Sequence, residues 1–158
     1  MILKYFSVFT LAILISACNV QNTKPKTQSN LDDLIELRKD ADVAYETGNW
    51  KLAIEHYDAL STEITKDVNI WFRLGNAHAR LNHPGIALQA YQKALSLDSS
   101  NGKIWHNMGI VQLKLATKTF IEMQQHTTVD DPLNSRANQV INAISELLQQ
   151  DFGIEATK

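Results

Sequence analysis

The sequence predicts an all-α domain built from repeated pairs of helices. Apolar residues recur at helical spacing from residue 31 to about residue 152, which predicts amphipathic helices through this stretch. Two sets of residues also recur 34 positions apart: Trp71 and Gly75 as Trp105 and Gly109, and Ala53 and Tyr57 as Ala87 and Tyr91. Because both the spacing and the residue class are repeated, the pattern indicates an array of similar units.

The first pair of helices is expected to begin at Leu31, with Asn30 as its N-cap. The stripe on its first helix consists of Leu34, Leu37, Ala41, Ala44 and Tyr45. Gly48 should end this helix, since glycine tolerates the left-handed conformation that follows many helices. Trp50 then opens the second helix of the pair.

The second pair spans residues 68–101 and has the complete pattern, with Pro84 suited to the first position of its second helix. The third begins in the same way at Trp105 but lacks the small and aromatic residues expected at positions 121 and 125. Residues 102–126 therefore form either one long helix or two helices with a poorly marked turn near 116–119. Asp131 and Pro132 start a last helix that reaches about Phe152 and should present a polar outer face.

The residues Trp71, Leu74-Gly75, Ala87 and Tyr91 resemble the tetratricopeptide repeat (TPR). This resemblance implies a short TPR-type solenoid of about six helices, with two full repeats (34–67 and 68–101), a partial third and a C-terminal capping helix. It also implies that Gly75 faces Ala87, so that the paired helices can approach closely. Such pairs bury their apolar faces only by stacking on their neighbours.

The N-terminus has the features of a secretory signal. Lys4 precedes an almost unbroken apolar run over residues 5–15, which spans about 16 Å as a helix and is too short to cross a bilayer. Residues 1–17 are therefore predicted to be a signal peptide. Residues 18–30, with one apolar side chain after Cys18, should form a flexible tether to a domain at 31–152, followed by a tail at 153–158.

The segment from Ile15 to Cys18 resembles the lipobox of bacterial lipoproteins. By this resemblance Cys18 becomes the acylated first residue of the mature protein, and Asn19 in place of Asp favours the outer membrane, facing the periplasm. The alternative is an ordinary secreted or membrane-anchored protein. Cys18 is the only cysteine, so it can form no intramolecular disulfide, which favours the lipoprotein interpretation.

Composition argues against several functions. The net charge is −2, and no Lys/Arg-rich run or basic aromatic stripe is present, so a nucleic-acid partner is not expected. The sequence has no phosphate-binding loop, no nucleophile elbow and no His/Glu metal motif. We therefore predict neither enzyme activity nor a cofactor or metal ion.

The TPR resemblance implies a partner-binding groove lined by the first helix of each repeat. The face so defined comprises Ile35, Arg38, Asp42, Tyr45, Glu46, Asn69, Phe72, Asn76, Ala79, Arg80, Lys103, His106, Ile110, Leu113 and Lys114. The candidates for partner contact are Tyr45, Phe72, Arg73, Asn76, Arg80, Lys103, His106 and Asn107. Phe72 has an alternative role, which is to pack beneath the neighbouring repeat.

These features lead to an expected function: a lipid-anchored periplasmic adaptor that holds a protein partner at the outer membrane. Similar small TPR lipoproteins serve in pilus, secretion or outer-membrane assembly. The alternative is a membrane-anchored regulator of a cell-wall enzyme. Because so short a repeat array has a shallow groove, packing against a second subunit also stays open, which would make the protein a homo-oligomer.

Overall fold

The computed structural model describes residues 26–152, and within this range every element is an α-helix. The helices are α1 (Lys26–Glu46), α2 (Trp50–Glu63), α3 (Val68–Arg80), α4 (Pro84–Leu97), α5 (Gly102–Gln125) and α6 (Pro132–Phe152). The predicted signal peptide, Cys18, most of the tether and the 153–158 tail lie outside the described residues. Within the described range, no helix is long and apolar enough to cross a membrane.

Each helix packs mainly against the helices that precede and follow it in the chain. Helices α1 and α2 form the first pair, α3 and α4 form the second, and α5 packs on α4. The protein is therefore the all-α repeat solenoid that the sequence predicts. Helices α1, α3 and α5 are the first helices of successive repeats, and α3 also contacts α5 directly.

The first helices of the first two repeats end in the same way. At the end of α1, Gly48 has a φ of 74°, and the amide of Asn49 donates to the carbonyl of Ala44 at 2.8 Å. At the end of α3, Asn82 has a φ of 58°, and the amide of His83 donates to the carbonyl of His78 at 2.9 Å. Gly and Asn are the residues that most readily adopt this left-handed conformation.

Helix α5 is a single helix of 24 residues, which decides between the two predicted alternatives. The position equivalent to Gly48 and Asn82 in the third repeat is Ala116. Alanine has the highest helix propensity and disfavours a positive φ. Nothing therefore stops the helix at this point, and it continues to Gln125.

The N-terminal boundary of α1 differs from the prediction. The helix begins at Lys26 rather than Leu31, so Asn30 lies inside it and the predicted N-cap is wrong. No glycine or proline occurs between residues 26 and 31, so no residue opposes the extension of the helix. Side-chain caps do occur at Asp67 of α3 and, 34 residues later, at Asn101 of α5.

The core consists of two clusters of buried side chains. The first lies between α1, α2 and α3, with Ala90 from α4, and includes Tyr57 and Leu60. The second lies between α4 and α5 and includes Tyr91 and Ile104. Trp71 packs against both clusters and therefore joins them.

Gly75 lies against an aromatic ring of the second helix of its pair. A Cβ atom added at Gly75 would overlap the ring of Tyr91, with Cδ1 only 2.5 Å away. The glycine therefore accommodates this ring. The frame-related Gly109 has no such neighbour, since a Cβ there meets nothing within 4 Å in the described part of the chain.

Helix α6 ends the solenoid by packing on α5. Gln124 donates to Asn138 at 2.7 Å and Asn134 donates to Thr127 at 3.1 Å, so the two helices run antiparallel. Ala137 is the one buried apolar residue among the described side chains of α6. The outer face of this helix is less polar than predicted, because several of its apolar residues stay exposed.

Candidate functional site: a groove across the first helices

A groove of about 570 Å³ crosses the first helices of the three repeats. Helix α1, the start of α2, and helices α3, α4 and α5 all contribute to its lining. The lining residues are Tyr45, Glu46, Trp50, Asn76, Ala79, Arg80, Tyr91, Asn107, Ile110, Val111 and Lys114.

The repeat frame explains why charged side chains enter this groove. Glu46, Arg80 and Lys114 occupy the same position of successive repeats, 34 residues apart. All three side chains belong to exposed residues that line the groove. Since equivalent positions of stacked repeats project in the same direction, they form a row of one negative and two positive charges.

An aromatic side chain from outside the first helices forms one edge of the groove. Trp50, at the start of α2, contacts the Tyr45 ring edge-on, with 5.4 Å between the ring centroids. The guanidinium of Arg80 lies 5.7 Å from the centroid of the Trp50 ring, within the range of a cation–π interaction. This contact holds Arg80 at the groove while its N–H donors form no hydrogen bond with any residue of the described range.

Outside the groove lining, two side chains of the first repeat interface donate to one oxygen atom of a third. Asp42 Oδ1 accepts hydrogen bonds from the Tyr57 hydroxyl at 2.5 Å and from Arg73 Nη1 at 3.0 Å. Arg73 Nη1 also lies 2.8 Å from the Tyr57 hydroxyl oxygen and donates to it. This triad joins α1, α2 and α3.

A second triad of the same form lies 34 residues later. Asn76 Oδ1 accepts from the Tyr91 hydroxyl at 2.8 Å and from Asn107 Nδ2 at 2.7 Å. Asn76 Nδ2 in turn donates to the Tyr45 hydroxyl at 2.8 Å. The side chain of Asn76 therefore connects α1, α3, α4 and α5.

Both triads depend on neutral tyrosine hydroxyls as donors. Burial is the main cause that raises the pKa values of Tyr57 and Tyr91 above the ordinary value, and the hydrogen bond to Asp42 raises that of Tyr57 further. The hydroxyls consequently stay protonated at neutral pH and can donate to Asp42 and Asn76.

The structure brings together four of the predicted contact residues: Tyr45, Asn76, Arg80 and Asn107 line the groove. Arg73 lies in the first triad and is not part of the groove lining. Phe72 packs against the second core cluster, with its ring centroid 6.2 Å from that of Tyr91. This position corresponds to the alternative role that the sequence left open for Phe72.

The remaining two candidates lie elsewhere. Lys103 and His106 are exposed residues of α5 and are not part of the groove lining. Conversely, the sequence did not point to Trp50, Tyr91 or Val111 as lining residues. The 34-residue period does not predict a groove residue at Trp50, because the equivalent residue in the second repeat is Pro84.

The described residues contain no group of three or more His, Cys, Asp or Glu side chains that could hold a metal ion. His78 lies near His83, with ring centroids 5.8 Å apart, and its buried Nδ1 has no hydrogen-bond partner. Burial lowers the pKa of His78, which keeps its ring neutral at neutral pH.

Comparison with known families agrees with the repeat geometry. Residues 68–101 match the family model of the tetratricopeptide repeat. These are the bounds of the central repeat that the 34-residue frame predicts. A TPR in this position supports a role in protein–protein interaction, and proteins built from TPRs are typically scaffolds without enzyme activity. No curated protein matches the chain.

Proposed function

We propose that this protein is a lipid-anchored adaptor that holds a protein partner at the periplasmic face of the outer membrane. The observation that supports this proposal best is the groove, in which Glu46, Arg80 and Lys114 form a row of charges. None of the three makes a hydrogen bond or ion pair with any described residue. Charged groups held at a groove without hydrogen-bond or ion-pair partners are available to an incoming polypeptide.

The chemistry of the groove favours a short acidic segment with an apolar or aromatic side chain. Two cations against one anion attract a negatively charged segment. The Trp50 ring and the Ile110 side chain supply apolar surface beside the charges. A volume of about 570 Å³ accommodates a few side chains rather than a long wrapped peptide.

The amides in the groove contribute less than the resemblance implies. Asn76 Oδ1 already accepts two hydrogen bonds, and one Nδ2 hydrogen is donated to Tyr45. An asparagine amide offers two donor hydrogens and one oxygen with two lone pairs, so only one donor remains. Recognition therefore depends on the charged and aromatic groups rather than on an amide clamp.

The anchor rests on the sequence. A short apolar segment followed by a single cysteine, Cys18, fits a lipoprotein signal. Because α1 begins at Lys26, residues 19–25 are left for the tether, which as a flexible coil would reach about 15 Å. Two or three acyl chains would hold the protein on the membrane without exchange. Assembly of an envelope structure, such as a pilus or a secretion channel, is the setting in which such an adaptor would act.

Crosslinking capture from the native envelope tests the groove. The full chain carrying Arg80→Glu and Lys114→Glu should recover at least tenfold less of the main partner than the wild type. That loss corresponds to about 1.4 kcal/mol, which is modest for two charges at one interface. Partner identity and recovery are measured by quantitative mass spectrometry.

Lys103→Glu is the matched control, because Lys103 is an exposed cation on α5 outside the groove lining. It makes one charge reversal on the same helix as Lys114. Equal loss of the partner with Lys103→Glu would contradict the assignment of binding to the groove. Unchanged recovery with both groove substitutions would contradict it as well.

A further inference from the structure

The three charges of the groove have a fixed order across the repeats. Glu46, Arg80 and Lys114 belong to α1, α3 and α5, and all three are exposed and line the groove. Helix α3 lies between the other two, because the Asn76 side chain on α3 bonds to both α1 and α5. The anion is therefore at the α1 end of the groove, and the two cations follow it.

The spacing of these charges follows from the stacking of the helices. The axes of packed helices lie about 8–10 Å apart, so equivalent positions of neighbouring first helices have a similar separation. A bound segment that meets all three charges must therefore present one charged side chain about every 8–10 Å.

The polyproline II conformation of a peptide has this spacing. It has three residues per turn and rises about 3.1 Å per residue, so side chains three positions apart point the same way about 9 Å from each other. In a β-strand, side chains three positions apart point to opposite faces. The described part of the groove consists of helices and offers no strand edge, which suits a segment whose backbone stays hydrated.

An α-helical occupant fits the groove less well. A helix about 10 Å wide that spans the row of charges has a volume of about 1,500 Å³. The groove holds about 570 Å³, so it cannot enclose such a helix. In the polyproline II conformation, only the charged side chains and their nearest neighbours need to enter.

Apolar surface lies between successive charges. Trp50 contacts Tyr45 of α1, and its ring centroid is 5.7 Å from the guanidinium of Arg80 on α3, so it lies between the first two charges. Ile110 lies one turn before Lys114 on α5 and also lines the groove. An apolar side chain in each interval of the bound segment therefore meets an apolar surface.

We propose that the groove recognises its partner by the order of the charges in a segment of polyproline II conformation. A basic side chain of the segment lies opposite Glu46, and acidic side chains three and six positions away lie opposite Arg80 and Lys114. Proline in the intervals would favour this conformation before binding and so reduce its entropic cost. This inference rests on the proposed function, since it specifies the segment that the adaptor holds.

Fluorescence anisotropy with the full chain in a mild detergent, at low ionic strength, tests the order of the charges. The probes are labelled peptides with blocked termini: Lys-Pro-Phe-Asp-Pro-Leu-Asp and its reversed sequence, which cover both directions of binding. The tighter of the two should bind about tenfold more tightly than Asp-Pro-Phe-Lys-Pro-Leu-Asp, which has the same composition. The central lysine of that control would face Arg80, and one of its aspartates would face Glu46.

Glu46→Lys should change which peptide is preferred. This variant should bind Asp-Pro-Phe-Asp-Pro-Leu-Asp more tightly than the peptide with a terminal lysine, whereas the wild type should prefer the terminal lysine. Glu36→Lys is the matched control, because Glu36 is an exposed residue of α1 outside the groove lining. It makes the same change of charge on the same helix and should keep the wild-type preference.

Equal affinity for the terminal-lysine and central-lysine peptides, or no binding of any peptide, would overturn the inference. The same change of preference in Glu36→Lys would overturn it too, because net charge rather than position would then decide binding. Capture from the envelope decides the proposed function separately. If Arg80→Glu with Lys114→Glu reduces capture while the peptides are not discriminated, the adaptor proposal stands and only the charge order is wrong. Discrimination among the peptides with unchanged capture would support the charge order and contradict the adaptor proposal.

Discussion

Single residues explain how closely the helices of this protein approach each other. Gly75 leaves room for the ring of Tyr91, whose hydroxyl then reaches Asn76. The glycine thus makes room for the hydrogen bond that joins α4 to α3. The sequence predicts that this position must be small, and the structure shows that the ring of Tyr91 lies closest to it.

Gly75→Ala should lower the free energy of unfolding by about 1–3 kcal/mol, because the added methyl group overlaps the Tyr91 ring. Urea denaturation monitored by circular dichroism measures the change. Gly109→Ala is the control one repeat later, where a Cβ meets nothing within 4 Å among the described residues. It should be neutral or stabilise the protein by up to about 1 kcal/mol, since alanine favours a helix. Equal losses in both variants would contradict a specific role for the Tyr91 contact.

At the scale of elements, local side chains set where helices begin and end, and a few side chains join one helix to another. Asp67 caps the start of α3 and also bonds to α1. Its Oδ1 accepts from the backbone amide of Asn69 at 2.8 Å at the start of α3, and its Oδ2 accepts from Arg38 of α1 at 2.8 Å. One carboxylate therefore caps a helix and holds the preceding repeat against it.

Asp67→Ala should lower the free energy of unfolding by about 1–2 kcal/mol, because it removes the cap and leaves Arg38 without its partner. Asp67→Asn keeps an oxygen for the cap and loses only the charge. It should cost no more than about 1 kcal/mol, since the ion pair is partly exposed to solvent. Thermal and urea unfolding of both variants measures the difference. If the two variants were equally destabilised, the cap would contribute nothing beyond the ion pair.

Helix α5 shows how one element changes the whole repeat array. Its continuation past Ala116 moves the following helix along the axis of α5, so that α6 begins only at Pro132. The first helix of the third repeat therefore starts with the repeat pattern, but the second helix begins later in the chain than the 34-residue period predicts. Leu133 and Leu147 of α6 are partly exposed, since no further described helix packs on them.

At the scale of the whole molecule, the proposed function combines a repeat domain with a membrane anchor, and the two are supported by different observations. The repeat domain has a described structure and a family match at residues 68–101. The anchor is a prediction from residues 1–18, which lie outside the described residues. Each part needs its own experiment, because a domain can bind its partner whether or not it is lipidated.

Under the proposed anchor, Cys18→Ala should prevent acylation and cleavage at this position, since it removes the thiol that would accept the lipid. The wild-type chain should stay with the membrane after a high-salt wash and partition into the detergent phase. The variant should show an uncleaved mass or a soluble product, as measured by fractionation and intact-mass spectrometry. Cys18 is the sole cysteine, so no other thiol can substitute for it. An unchanged mass and detergent extraction would exclude the anchor.

The sequence predicted a large part of this fold because the deciding interactions are local. The left-handed residue Gly48, the first-turn residue Pro84 and the capping residue Asp131 act within a few positions of the chain. The 34-residue period then relates one helix pair to the next, and the matched repeat has the predicted bounds. Even the length of α5 follows from the absence of a terminating residue at Ala116.

Only the tertiary structure decided which polar side chains remain available to a partner. Asp42, Arg73, Asn76 and Asn107 resemble binding residues in the sequence, yet they bond to one another across 31 residues of chain. Such bonds depend on how the helices stack, and no local pattern specifies them. By itself the sequence determined a repeat array with a groove. The packing determined that the charged and aromatic side chains of the groove stay available, whereas its amides are already hydrogen-bonded within the fold.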